Sequence, residues 1–231
     1  MKKIILAAIV ASLPFSTMAA TILGFQVGGG TWEHDPSGSI STDLDGAGVN
    51  ADLKNDLKLG EDSEGYTYFA FEHPVPVIPN IKYMNTKLTS AGAGTLTADF
   101  DFNGVTYSTS SAVTTKLQLD TTDYTLYYEI LDNVVSLDLG LTARQIDGEA
   151  TVNADTTAFS GTIPMLYVGA EVMLPAGFSV VGEISTISGG GNEITDTSFK
   201  LTYTTDFNLG IEAGIRTQDI VIDVDTIKAD M

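Results

Sequence analysis

The amino-acid sequence predicts an all-β chain, an antiparallel up-and-down transmembrane β-barrel of about ten strands. Three observations predict it. Apolar and polar residues alternate at period two along nearly the whole chain after residue 20. The connections between the alternating stretches are tight at one set of turns and long and polar at the other. A short basic and then apolar segment precedes them.

That first segment has the order of a secretory leader. Met1-Lys2-Lys3 is a positive start, Ile4–Val10 is apolar, and Thr17-Met18-Ala19-Ala20 offers small residues for cleavage. The apolar run is shorter than the roughly 20 residues a membrane-spanning helix needs. The expected organisation is a signal peptide over 1–20 and an outer-membrane β-barrel domain over 21–231, located in the cell outer membrane of a Gram-negative bacterium.

The strands read as 21–33, 66–72, 81–89, one ending in 123–130, 134–145, 162–174, 178–187, 197–204 and one from 209. In 134–145, Val135, Leu137, Leu139 and Leu141 share one face and Ser136, Asp138, Gly140 and Arg144 the other. Asn103-Gly104 marks a type I′ hairpin turn. Tight turns fall at 132–133, 175–177 and 205–208, and long polar loops at 34–65, 89–116, 147–161 and 188–196. Bacterial barrels have short turns on one side, long loops on the other and an even strand count. The chain stops at what reads as the approach to a tenth strand, and Met231 is not the usual terminal aromatic, so the expectation is a chain cut short.

The net charge of −19 argues against nucleic acid and anionic lipid surfaces as partners, but not against an outer membrane, because loop and lumen charges need not touch lipid. Cysteine is absent, so strand ladders and packing must supply all the stability, and lipoprotein processing is excluded. No cofactor and no metal site are expected, since none of the acidic clusters matches a known calcium loop.

The segments Glu72-His73-Pro74-Val75-Pro76-Val77-Ile78-Pro79-Asn80, 123–144 and Pro164-Met165-Leu166-Tyr167 resemble an uncharacterised family of proteobacterial outer-membrane β-barrel proteins. The resemblance implies an outer-membrane barrel and names no ligand or reaction. Members of that family continue to a C-terminal Phe, which this chain lacks.

Eleven charged residues alternate onto the polar face and are assigned to the lumen: Glu72, Lys82, Asp123, Glu129, Asp138, Arg144, Glu171, Glu183, Lys200, Glu212 and Arg216. In a narrow barrel such charges must pair. The expected function is therefore a structural barrel with a salt-bridged plug, or a narrow cation-preferring pore lined by the spare carboxylates, with no enzymatic activity. Its partners would be outer-membrane lipid and lipopolysaccharide, the barrel-assembly machinery during insertion, and small solutes or ions.

Two other classes are weighed. One is a lipid-modifying barrel enzyme using His34 as base beside Glu33 and Asp35, although a lone His there reads as a solvated loop residue. The other is a soluble secreted β-sandwich binding protein.

The remaining features are weighed against bland readings. The proline-rich stretch 73–80 reads as a rigid turn on the periplasmic side, or a docking surface there. The acidic runs 43–46, 61–64 and 219–225 read as solvated loops, or as sites where divalent cations bridge to lipopolysaccharide. Gly189-Gly190-Gly191 reads as a loop tip. Tyr66, Tyr68, Phe69, Phe71, Tyr83, Tyr124, Tyr128, Phe178, Phe199 and Tyr203 read as interfacial anchors.

Overall fold

The computed structural model describes residues 4–12, 23–42, 50–189, 192–224 and 227–230. The strands are β1 (Ile4–Ser12), β2 (Gly24–His34), β3 (Ser39–Thr42), β4 (Asn50–Asp52), β5 (Asp62–Glu72), β6 (Asn80–Thr86), β7 (Thr89–Thr95), β8 (Phe100–Phe102), β9 (Val105–Tyr107), β10 (Ala112–Leu131), β11 (Val135–Val152), β12 (Asp155–Met173), β13 (Phe178–Gly189), β14 (Asn192–Thr204), β15 (Gly210–Val224) and β16 (Ile227–Asp230).

Nine long strands, β2, β5, β6 and β10 to β15, form one antiparallel curled sheet in that order. Among the described residues no ladder joins β2 to β15 or to β1, so the sheet is open at that seam. The outer edge of β15 is partly occupied. β16 pairs with Val221–Val224, and β1 pairs with β15 lower down, from Arg216 to Gly210, alongside β2. These two short segments lie one above the other on the β15 edge, and the nine-stranded sheet stays open. Of the expected leader, only β1 lies within the described residues.

Alternation decides which side of the sheet each residue takes. Even residues of β2, β5, β6, β11, β14 and β15 turn inward, as do odd residues of β10, β12 and β13. The outward face carries an apolar band with a sharp upper limit. One hydrogen-bonded row reads Val27, Phe69, Tyr83, Tyr124, Ala143, Pro164. The next row up reads Gly29, Thr67, Asn85, Thr122, Gln145, Thr162. On the remaining strands the switch falls between Ile184 and Thr186, Phe199 and Thr197, and Ile215 and Thr217.

The loops expected at 147–161 and 188–196 are corrected. Both are continuations of the ladder. β11 and β12 pair up to Val152 opposite Asp155, turning at Asn153 with φ 54°, and β13 and β14 pair up to Gly189 opposite Asn192. Thr-rich polar alternation on both faces has strand propensity without an apolar face to announce it. Asp219 and Asp223 likewise belong to β15 and Asp62 to β5, not to loops. Asp43, Asp45, Gly190, Gly191 and Asp225 lie outside the described residues.

The other two long connections fold. Residues 51–59 and 96–107 pack on the upper ends of β10 and β11 around Ala51, Leu53, Leu57, Leu59, Leu96, Phe100, Phe102, Val113, Leu117 and Val152. This second core is a cap above the sheet. Asn103 and Gly104, both at positive φ, make the expected turn of its β8–β9 hairpin. The proline-rich connection is a tied turn: the His73 ring meets the Pro79 carbonyl at 3.2 Å, and Asn80 Oδ1 accepts the His73 amide at 3.1 Å.

Gly28 has no side chain because the Tyr68 ring of the paired strand lies across it. Gly28→Val should lower stability by about 1–3 kcal/mol through overpacking. Gly161→Ala, where a methyl meets nothing within 4 Å, should be nearly neutral; urea midpoints of the two variants check this.

Candidate functional site

The inward faces converge on a stratified lumen. Its upper ionic layer is centred on Asp196 of β14. Arg144 on β11 donates to both oxygens of Asp123 on β10, at 2.7 and 2.6 Å, and to Asp196 at 2.6 Å. Arg216 on β15 donates twice to Asp196, at 2.9 and 2.6 Å, and once to Thr86 of β6 at 3.0 Å. Gln218 adds a third donor side chain to Asp196 at 2.9 Å. The Arg216 guanidinium also lies 5.4 Å from the ring centre of Trp32 on β2. One chain of charge-assisted bonds therefore runs from β10 to β15 and across the seam to Thr86 of β6, with a cation–π contact continuing to β2.

A second layer lies below. Glu183 of β13 pairs with Lys82, receives the Tyr167 hydroxyl at 2.7 Å and has Lys200 at 3.6 Å. Glu212 accepts the Tyr66 hydroxyl at 2.6 Å and that of Tyr68 at 3.4 Å, with Lys200 at 3.5 Å. Lys200 and Lys82 also stand over the rings of Tyr68 and Tyr167. Each buried carboxylate here has cationic and neutral donors, which is the condition for holding charge away from water.

Above the ions sits an apolar layer of Leu119, Ile146, Met165, Ile194 and Ile220, with Leu88, Ile163 and Ile187 against it. Met165 is 1% exposed. Between the two ionic layers lies a cavity of about 50 Å³, lined by residues of both, room for very few waters. Below the ions the lumen turns acidic: Glu129, Asp138 and Glu171 lie inward, and Glu72 accepts the Tyr127 hydroxyl at 2.9 Å.

All eleven charges assigned from sequence lie on the inner face. Asp123, Arg144 and Arg216 meet in the upper layer, and Lys82, Glu183, Lys200 and Glu212 in the lower. Glu72, Glu129, Asp138 and Glu171 stay near the tight-turn end, and none of them is ion-paired among the described residues, although Lys82 acts on Asp138 from a distance. The hub, Asp196, went unrecognised because the sequence reading placed it in a loop. Tyr66 and Tyr68, read as interfacial anchors, are instead buried hydroxyl donors; their even numbering on β5 carries the signal. His34 is corrected too: it is 0% exposed, not a solvated loop residue. Among the described residues no group of acidic or histidine side chains is arranged to hold a metal ion.

The cap has its own polar anchor. Asp56 accepts the Asp52 amide at 3.0 Å, and the Thr97 amide and hydroxyl at 3.2 and 2.5 Å. Burial pushes the Asp56 carboxyl up, but those hydrogen bonds and nearby Lys58 outweigh it and hold the carboxyl below its usual value. Tyr107 donates to Asp155 and to the Val152 carbonyl, fixing the β8–β9 hairpin against the β11–β12 turn. Burial and then Asp155 push its hydroxyl up to about 12.

Comparisons of the chain with protein-family models, curated proteins and solved structures find no match.

Removing Asp196 would leave two buried guanidiniums short of a partner. Asp196→Ala should cost roughly 3–5 kcal/mol in urea unfolding, and Asp123→Asn less, because Arg144 keeps Asp196. Asp56 is lowered in the folded cap, so its contribution is present above the ordinary carboxylate value and fades as pH falls through the folded one. Asp56→Asn should weaken the cap by about 1–2 kcal/mol at pH 7 and by progressively less as pH falls through the lowered value of the folded carboxyl, as amide exchange in residues 51–59 would report.

Proposed function

We propose that the chain is a structural, non-conducting β-barrel of a Gram-negative outer membrane, exported by an N-terminal leader, that holds a compact cap on the outer side. The observation that carries this reading is the layered interior: two ionic layers and an apolar layer lie across it, and the cavity between the ionic layers is only about 50 Å³. The cation-preferring pore expected as an alternative needs a continuous polar path, and the layer around Met165 stands across it.

The outer face supports the membrane placement. Leu126, Leu139, Leu141, Leu166, Phe199, Leu201 and Ile215 are exposed large apolar residues on neighbouring strands. Water would penalise such a band, whereas hydrocarbon accepts it. Tyr83 and Tyr124, in edge-to-face contact at 5.5 Å, lie at its upper limit, and Phe178 and Tyr203, at 4.8 Å, lie at its lower. These are the levels where aromatic girdles sit. In this frame the acidic lower mouth and the proline-rich turn face the periplasm, and outer-membrane lipid and lipopolysaccharide surround the band.

A planar bilayer tests the lumen. The refolded protein, shown folded by its heat-dependent gel migration, should give no ion-conducting steps. Steady cation-selective steps would replace the plug with the pore. A second measurement tests the band. Leu141→Arg should cost about 2–4 kcal/mol in lipid, where the charge enters hydrocarbon, but within about 0.5 kcal/mol if this face meets water. Recovery of the native protein in culture supernatant would favour a secreted soluble chain.

A further inference from the structure

His34 ends β2 where the chain leaves the sheet for the cap. Its ring is fully buried, and neither ring nitrogen has a hydrogen-bond partner among the described residues. It lies 5.1 Å from the ring of Trp32, itself 1% exposed. The Trp32 indole donates to the Lys87 carbonyl at 2.8 Å, which pins that ring to the segment between β6 and β7. The connection that starts after His34 supplies Ala51, Leu53, Leu57 and Leu59 to the cap core, and Lys54 returns to pair with Asp35. The imidazole is thus enclosed at the end of β2, the point from which the connection to the cap leaves the sheet.

We propose that His34 is a proton-operated latch: the neutral ring packs as an aromatic wedge that keeps the cap docked, and the protonated ring loosens it. A neutral imidazole needs one donor and one acceptor partner, and an imidazolium needs two acceptors plus compensation of a whole charge. The enclosure supplies neither hydrogen-bond partner from the described residues. The charged groups around it are Asp62, directly opposite on β5, and Glu64 on the same strand. Asp35, next in the chain, is engaged by Lys54, and Arg216 stands over the Trp32 ring. The two β5 carboxylates favour protonation, but burial opposes it more strongly and holds the ring below its ordinary value of 6.5.

The sign follows from linkage. A cap-open state with a solvated His34 binds a proton more readily than the closed state, so acidification through pH ~6.5 favours opening. Asp56 acts in the same direction but in the lower, carboxylate range, so the two groups separate on the pH axis. This device does not depend on the membrane reading, because it needs only the cap and the sheet.

The test uses the full chain in detergent. Hydrogen exchange of peptides over 53–59, corrected for the intrinsic pH dependence of exchange, should speed up about tenfold between pH 7.5 and 5.0. Peptides over 135–145 should not change. Trp32, the sole tryptophan, should lose fluorescence over the same range with a midpoint below 6.5. His34→Phe, which keeps an aromatic ring but cannot titrate, should abolish both changes; His34→Gln serves if the phenylalanine variant does not fold. Cap exchange that is flat with pH in the unaltered protein, or that responds equally in the variant, would overturn the latch.

Discussion

Two guanidinium groups share one carboxylate inside the sheet, and much of the architecture depends on that arrangement. Asp196 takes Arg144 from one side and Arg216 from the other. The pairs join β11, β14 and β15, and the further reach of Arg216 to Thr86 and Trp32 extends the tie across the open seam. A ladder fixes only neighbouring strands, whereas this network fixes strands that are not neighbours. It therefore helps set the curl of the sheet as well as the filling of its interior. The Tyr hydroxyls on Glu212, Glu183 and Glu72 extend the same solution downward, with glycines such as Gly28 making room for the rings.

Much of the strand pattern was legible in the sequence, because period-two alternation directly encodes which side a residue takes. Val135, Leu137 and Leu139 against Ser136 and Asp138 announce an outer and an inner face. The parity rule also placed the lumen charges. It failed where both faces are polar, as in Thr151 to Thr157 and Thr195 to Asp196, since alternation needs contrast to be seen. That failure hid the hub of the network. The cap was illegible for another reason: its core gathers Leu53, Leu96, Val113 and Val152 from segments that look like polar connections when read singly.

The lumen and cap show two answers to one problem, that of enclosing polar groups. In the two ionic layers, charge is matched by charge and by phenolic hydroxyls. In the cap, Asp56 is matched by backbone amides and a threonine, with aliphatic residues packed beside it. At the end of β2, where the chain leaves for the cap, the His34 ring has neither answer among the described residues.

The make-up of the cap core has a consequence for the order in which the molecule assembles. The strands from β10 to β15 pair with their neighbours in sequence, so their contacts close short loops. The cap core instead draws residues 51 to 152 into one cluster, and Val113, Leu117 and Val152 reach it only as part of the β10–β11 hairpin. Loop-closure entropy makes such distant contacts costly until a scaffold has brought them near. The hairpins thus come first and the cap condenses on them, so a chain stalled during assembly would expose Leu53, Leu57, Leu59 and Phe100 while its ladder was already formed.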